Sequence, residues 1–300
     1  LESFWMEGYN HENFSLMMMN YINSEFNHQL DLAIKIYKNE YHKKFLHQLV
    51  SSQLDMDRLD YLRRDSFYTG VSEGVIGSDR IIKMLNVYND HLVIEAKGIH
   101  SIEKFLIARW IMYWQVYFHK TVLSAEQLLI NIFDRSKVII DQGIELSASI
   151  PLKYFLKKKY TEDSRENMLK MFSKLDDTDI LVAFKTWVEH EDMVLSLLCQ
   201  NMMERKLYKI ELQNVPFNKQ KLDHLVEQTT KKLDIPPDEI NYFVFTDSII
   251  NKAYSTLNDT IQILYKNNEI MDIGEASDML SLPVLSKIVK KYFICYPKEN

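Results

Sequence analysis

The sequence predicts a mainly α fold with a C-terminal α+β lobe that carries a small, mostly antiparallel sheet. Two observations lead there. Residues 1–150 hold no proline and six glycines, so little interrupts long helices in that half. From Lys206 onward the pattern alternates, in LYKIELQ, NYFVFTD, TIQILYK and EIMDIG, the period-two signature of half-buried strands. The character changes after Ser149–Pro151, which divides the chain into a helical core, 1–150, and a helical then α+β lobe, 151–300.

Residues 11–24 read as one helix, with Phe14, Met17, Met18 and Tyr21 on an apolar face. Residues 28–37 and 40–50 give two more helical segments. A further helix runs over 53–68 and should stop at Thr69–Gly70, a good C-cap. Asp79–Leu85 is a short helix, and Leu92–Lys97, after the turn residues Asn89 and Asp90, is a strand. Ser101 can cap a long helix through Arg109 and Lys120 to Phe133. At 100° per residue, Arg109, Tyr113 and Lys120 would then share a narrow sector of it. Helices are expected at 151–158, 164–172, 177–189, 191–203, 218–233 and 275–290, with a hairpin turn at Asn267–Asn268 and a closing strand in KYFICYP.

Composition removes several function classes. A net charge of −6 and a pI near 5.9 give no strong nucleic-acid signal. Cys199 and Cys295 lie far apart and fit reduced structural thiols of a cytoplasmic protein better than a disulfide framework or a zinc site. No apolar run reaches the eighteen residues or so that a spanning helix needs, so no membrane partner is expected. No Walker A loop, GxGxxG or GxSxG occurs, which disfavours kinases, dinucleotide enzymes and serine hydrolases.

The chemistry concentrates in SSQLDMDRLDYLRRDSFYTG, residues 51–70. Asp57 and Tyr61 share a helix face, and Arg58, Tyr61 and Asp65 form an i, i+3, i+7 stripe. One face thus offers a hard-metal carboxylate, a guanidinium, a flat ring and a second carboxylate, the mixture that metal-assisted attack on a phosphate ester needs. A mixed-charge face is also what a solvated salt-bridge ladder looks like. Arg109 lies among apolar residues in FLIARWIMYW. A buried arginine requires an anionic partner, either phosphate or a carboxylate of the 55–65 cluster.

DMDRLDYLRRD resembles the D-x-D-[RK]-x-D-Y-x-x-R-D helix of HD-domain phosphohydrolases, and is most similar to the deoxynucleoside triphosphate (dNTP) triphosphohydrolase branch. GYNHENFS at 8–15 resembles that family's H-E pair, and RWIMYWQVYFHK at 109–120 its Arg…Y-x-H-K helix. The resemblance implies an HD-domain helical core at 1–150 and a divalent metal ion (Mn, Mg, Fe, Ni or Zn) as cofactor. It implies that Asp57 is a metal ligand and that His11 and Glu12 serve in proton transfer. Arg58, Arg109 and Lys120 would contact phosphates, Tyr61 would pack on the deoxyribose, Asp65 would accept from the 3′-OH, and Tyr117 and His119 would lie near sugar and phosphates. The implied reaction turns a dNTP into deoxynucleoside and tripolyphosphate, in a dimer or tetramer, with a regulatory nucleotide as a further partner.

One departure bears on this. The family places an H…HD set of metal ligands before the H-E motif, and the ten residues before His11 contain neither His nor Asp. The sequence therefore looks like one that begins inside the HD domain. Two alternatives stand beside the dNTP hydrolase: a non-catalytic nucleotide-binding or assembly module, and an HD phosphohydrolase acting on another phosphoester.

Overall fold

The computed structural model describes residues 10–157, 165–251, 254, 260–279 and 288–298. It is mainly helical with small sheets. The chain forms two compact units. One comprises Leu1–His28, Lys120–Ser248 and Tyr292–Asn300, the other Gln29–His119 and Ile249–Lys291. Each draws on segments from both sides of residue 150.

In the second unit, helices α2 (Asp31–Tyr37), α3 (Lys44–Val50), α4 (Met56–Thr69) and α5 (Ser78–Met84) precede a hairpin of β1 (Leu85–Tyr88) and β2 (His91–Glu95). Asn89 and Asp90 take φ of 50° and 61°, the backbone that a two-residue hairpin turn demands. Helix α6 (Ile99–Met112) and a π turn (Tyr113–Tyr117) follow. Strands β5 (Gln262–Leu264) and β6 (Ile270–Asp272) and helix α13 (Ile273–Ala276) return later in the chain. The sheet order is β1-β2-β5-β6, with β2 and β5 parallel and the other pairs antiparallel. Its core gathers Leu59 and Leu62 of α4, Phe105, Leu106 and Met112 of α6, Ile94 of β2, Ile263 of β5 and Ile273. This packing fixes which faces of α4 and α6 remain for chemistry.

The first unit holds α1 (His11–Glu25), α7 (Lys120–Asp141), α8 (Ile150–Lys157), α9 (Arg165–Phe172), α10 (Asp177–Trp187), α11 (Met193–Met203), β3 (Lys209–Gln213), α12 (Lys219–Leu233), and most of β4 (Phe245–Asn251) and β7 (Val289–Tyr296). The sheet order is β3-β7-β4, and Ile210 faces Cys295 in antiparallel register. Phe14 of α1 stacks on Phe172 of α9 at 4.7 Å. Arg135 of α7 bonds Asp192 through Nε at 3.0 Å and reaches Glu239 at 2.7 Å. Cys199 and Cys295 are both buried free thiols. Burial pushes each of them up to about 12.

Three expectations need correction. The single long helix from Ser101 to Phe133 is two helices: α6 ends at Met112, a π turn follows, and α7 starts at Lys120. The Phe118 amide donates to the Tyr113 carbonyl at 2.7 Å, a five-residue step that widens the helix. Phase counting at 100° per residue therefore fails beyond Tyr113. Helix α6 also starts earlier than expected, after Gly98, where a Cβ would come within 2.8 Å of Ile94 Cγ2. Finally, the strand expected in NYFVFTD begins only at Phe245, because the preceding residues form a 3-10 turn that buries Phe243 and Val244 together. Of the helix expected at 275–290, residues 280–287 lie outside those described; the described part is helical only to Ala276, and Val289 and Lys290 already belong to β7.

Candidate functional site

Helix α4 begins at a buried carboxylate. Asp55 caps it, accepting from the Arg58 amide at 2.8 Å and from Arg58 Nε at 2.9 Å. Arg58 Nε also donates to the Ser52 carbonyl at 2.8 Å. One edge of that guanidinium is thereby fixed and its direction set. One turn on, Tyr61 is half-buried. Burial and the neighbouring Tyr113 raise the Tyr61 hydroxyl's pKa, while the charges of Arg109 and Arg58 oppose that rise. Tyr61 therefore lies within electrostatic reach of both arginines.

Asp65 comes one further turn along α4 and accepts a hydrogen bond from the Tyr117 hydroxyl at 2.7 Å. Burial, then the Asp65 carboxylate, push the Tyr117 hydroxyl far above its ordinary value, so it stays a neutral donor. The π turn brings three tyrosine rings together. Tyr61 and Tyr117 meet edge to face at 6.1 Å, and Tyr113 and Tyr117 at 5.2 Å.

Arg109, in the last turn of α6, completes the group. It is 9% exposed, and its Nε and Nη1 are buried without a hydrogen-bond partner. Its guanidinium carbon lies 5.9 Å from the Tyr113 ring centroid. The carboxylate partner considered from the sequence is not bonded to these two nitrogens. Asp65 instead serves Tyr117, and Asp55 serves Arg58. Unsatisfied buried donors are rare, and each calls for an anion or a water.

Five sequence-derived candidates, Arg58, Tyr61, Asp65, Arg109 and Tyr117, thus gather in the second unit. Asp57 sits exposed in the first turn of α4, and His119 is exposed just after the π turn. His11 and Glu12 are exposed in the first turn of α1, and Lys120 is exposed at the start of α7, all three in the first unit. The salt-bridge-ladder reading holds for the outer face of α4, where Arg64 pairs with Asp60. Two residues of the cluster escaped sequence reasoning. Tyr113 lies four residues after Arg109, a spacing that puts the two on one helix face. Asp55, one of the carboxylates of the 55–65 cluster, is the N-cap of α4, a position that favours Asp.

The family's metal does not fit the described residues by themselves. Among them, no group of three or more His, Cys, Asp or Glu side chains could hold an ion, and Asp57 offers a single carboxylate. No described helix is long and apolar enough to cross a membrane.

Residues 76–142, which carry Arg109, Tyr113 and Tyr117, match the HD associated region. A crystal structure of a phosphohydrolase from Bacteroides thetaiotaomicron superposes with a TM-score of 0.92 at 51% identity, over 99% of this chain and 75% of that one. The chain belongs to the HD-domain phosphohydrolase family. Members of this family are generally metal-dependent. The uncharacterized protein YwfO of Bacillus subtilis is 32% identical over 90% of the chain, which spans 60% of YwfO's length. A deoxynucleoside triphosphate triphosphohydrolase SAMHD1 homolog of Dictyostelium discoideum is 26% identical over 67% of the chain and 37% of its own length.

Proposed function

We propose that this chain supplies the sugar- and phosphate-binding part of a phosphohydrolase that cleaves dNTPs to deoxynucleoside and tripolyphosphate. One observation carries the reading: Arg109 is buried with two unpaired N–H donors, beside the Tyr113 ring and within electrostatic reach of Tyr61. A polyphosphate oxygen satisfies such donors and balances the charge. Arg58, already oriented by Asp55, adds a second cation. The flat face of Tyr61 suits a deoxyribose, whose missing 2′-hydroxyl lets a ring pack close. Asp65 accepts from a sugar hydroxyl, with Tyr117 sharing that carboxylate. In this reading His119 adds a phosphate contact and Asp57 is one metal ligand.

The test is incubation of the full-length protein with Mn²⁺ or Mg²⁺ and each dNTP, singly and mixed, with an assay for tripolyphosphate. Asp57→Ala and Arg109→Gln are the controls. Product that disappears in both variants is the expected result. Nucleotide binding without product would replace the hydrolase with a binding module, and turnover of other phosphoesters alone would change the substrate class. Asp65→Ala should reduce dNTP turnover far more than turnover of a small phosphoester, and equal losses would remove the sugar-reading role.

A further inference from the structure

We propose that Tyr113 is a positioning residue that holds the Arg109 guanidinium in place with its Nε and Nη1 donors open, ready for a polyphosphate. The inference rests on the phosphate role of Arg109 proposed above. A buried arginine in a ligand-free site has two ordinary fates. A carboxylate pairs with it and competes with the incoming anion, or the side chain turns toward solvent. Neither holds here, because the side chain is nine-tenths buried and its Nε and Nη1 lack partners. The group that faces it is the Tyr113 ring, 5.9 Å from the guanidinium carbon. An aromatic face attracts a cation through its quadrupole but accepts no conventional hydrogen bond. It therefore steadies the charge while leaving the N–H donors for phosphate oxygens.

The backbone provides for this contact. Tyr113 opens the π turn, and its carbonyl takes the five-residue hydrogen bond from Phe118. Its ring is supported by Tyr117 at 5.2 Å and an interplanar angle of 74°, and by Phe118 at 5.4 Å and 53°. With two rings beside it, Tyr113 has little freedom to turn away from Arg109. Tyr117 in turn is tied to Asp65. The same turn thus positions the sugar carboxylate's partner and the arginine's partner, linking the two ends of the proposed substrate.

The experiment is a double-mutant cycle on the full-length protein, using Tyr113→Leu, Arg109→Met and their combination, with Tyr113→Phe as the conservative variant. Two quantities are read: affinity for inorganic tripolyphosphate by calorimetry, and the urea midpoint without ligand. The ring, not the hydroxyl, is what matters, so Tyr113→Phe should bind as wild type does. Tyr113→Leu should bind about 3- to 30-fold more weakly. Without ligand, Tyr113→Leu should lower the urea midpoint further in the Arg109 background than in the Arg109→Met background. Wild-type affinity in Tyr113→Leu, equal losses in the Phe and Leu variants, or additive midpoints in the cycle would each overturn the inference. Should wild type itself fail to bind tripolyphosphate, the phosphate reading of Arg109 falls, and this inference with it. Loss of binding in Arg109→Met but not in Tyr113→Leu removes the role of Tyr113 alone.

Discussion

Replacing Arg109 with methionine should make the ligand-free protein more stable while removing its hold on polyphosphate. The magnitude follows from the side chain's surroundings. Two buried N–H groups lack partners, and each such donor costs about 1–3 kcal/mol. Against that stand the Tyr113 ring, worth about 0.5–2 kcal/mol, and a favourable place at a helix C-terminus, worth about 0.3–1 kcal/mol. Methionine has similar length and helix propensity and fills irregular apolar space. The balance favours the variant by about 1–3 kcal/mol. Urea denaturation with and without tripolyphosphate measures both effects. The wild-type midpoint should rise with ligand while the variant's should not, since only binding to the folded state shifts it. A variant that is less stable than wild type without ligand would refute the reasoning, because Arg109 would then be compensated within the fold.

Two further outcomes are expected. Burial raises the Asp192 carboxyl's pKa, but hydrogen bonds from Arg135 and the Leu195 amide outweigh that and hold it below the ordinary carboxylate value. Its stabilisation is therefore complete above the unfolded pKa of about 4 and disappears as pH falls through the lower folded value. Asp192→Asn should lose about 2–4 kcal/mol near neutrality, and the gap to wild type in urea midpoints should narrow on acidification. A gap that does not depend on pH would defeat the electrostatic account. Gly74→Ala would set a Cβ 2.5 Å from Met112 Sδ and 2.9 Å from Ser66 Cβ, overpacking that costs about 1–3 kcal/mol. Gly70→Ala meets nothing within 4 Å and bears only the strain of a φ of 71°, about 1–2 kcal/mol. Thermal melts that show Gly70 to be much the more sensitive position would reverse this assignment.

What the sequence disclosed depended on how local the cause was. The end of α4 at Gly70, the Asn89–Asp90 turn and the Asn267–Asn268 turn were readable because single residues with known backbone preferences decide them. So was the Arg58, Tyr61, Asp65 stripe, which rests on helix period alone. The π turn was not readable. YWQVYF contains no glycine or proline, so nothing in its composition announces a break. The turn's last residue, Tyr117, meets Tyr61 and Asp65 of α4, contacts that lie more than fifty residues away in sequence. The parallel pairing of β2 with β5 was equally hidden, since Ile94 and Ile263 meet from far apart in sequence. Arg109 could be recognised as needing an anion. Only coordinates could show that Asp65 and Asp55 were already engaged elsewhere.

The interleaving of the two units has a consequence for biosynthesis. The hydrophobic cluster begun by Leu54 through Met112 is completed by Ile261, Ile263 and Ile273. These emerge from the ribosome roughly 150 residues later, on the order of ten seconds at usual elongation rates. The β3-β7-β4 sheet likewise waits for its middle strand, Val289–Tyr296. Neither unit can mature while the nascent chain is short, so the tyrosine cluster around Arg109 must wait unfinished during translation. Chaperone occupancy on stalled nascent chains should therefore persist past residue 119 and fall only once the returning strands are synthesised.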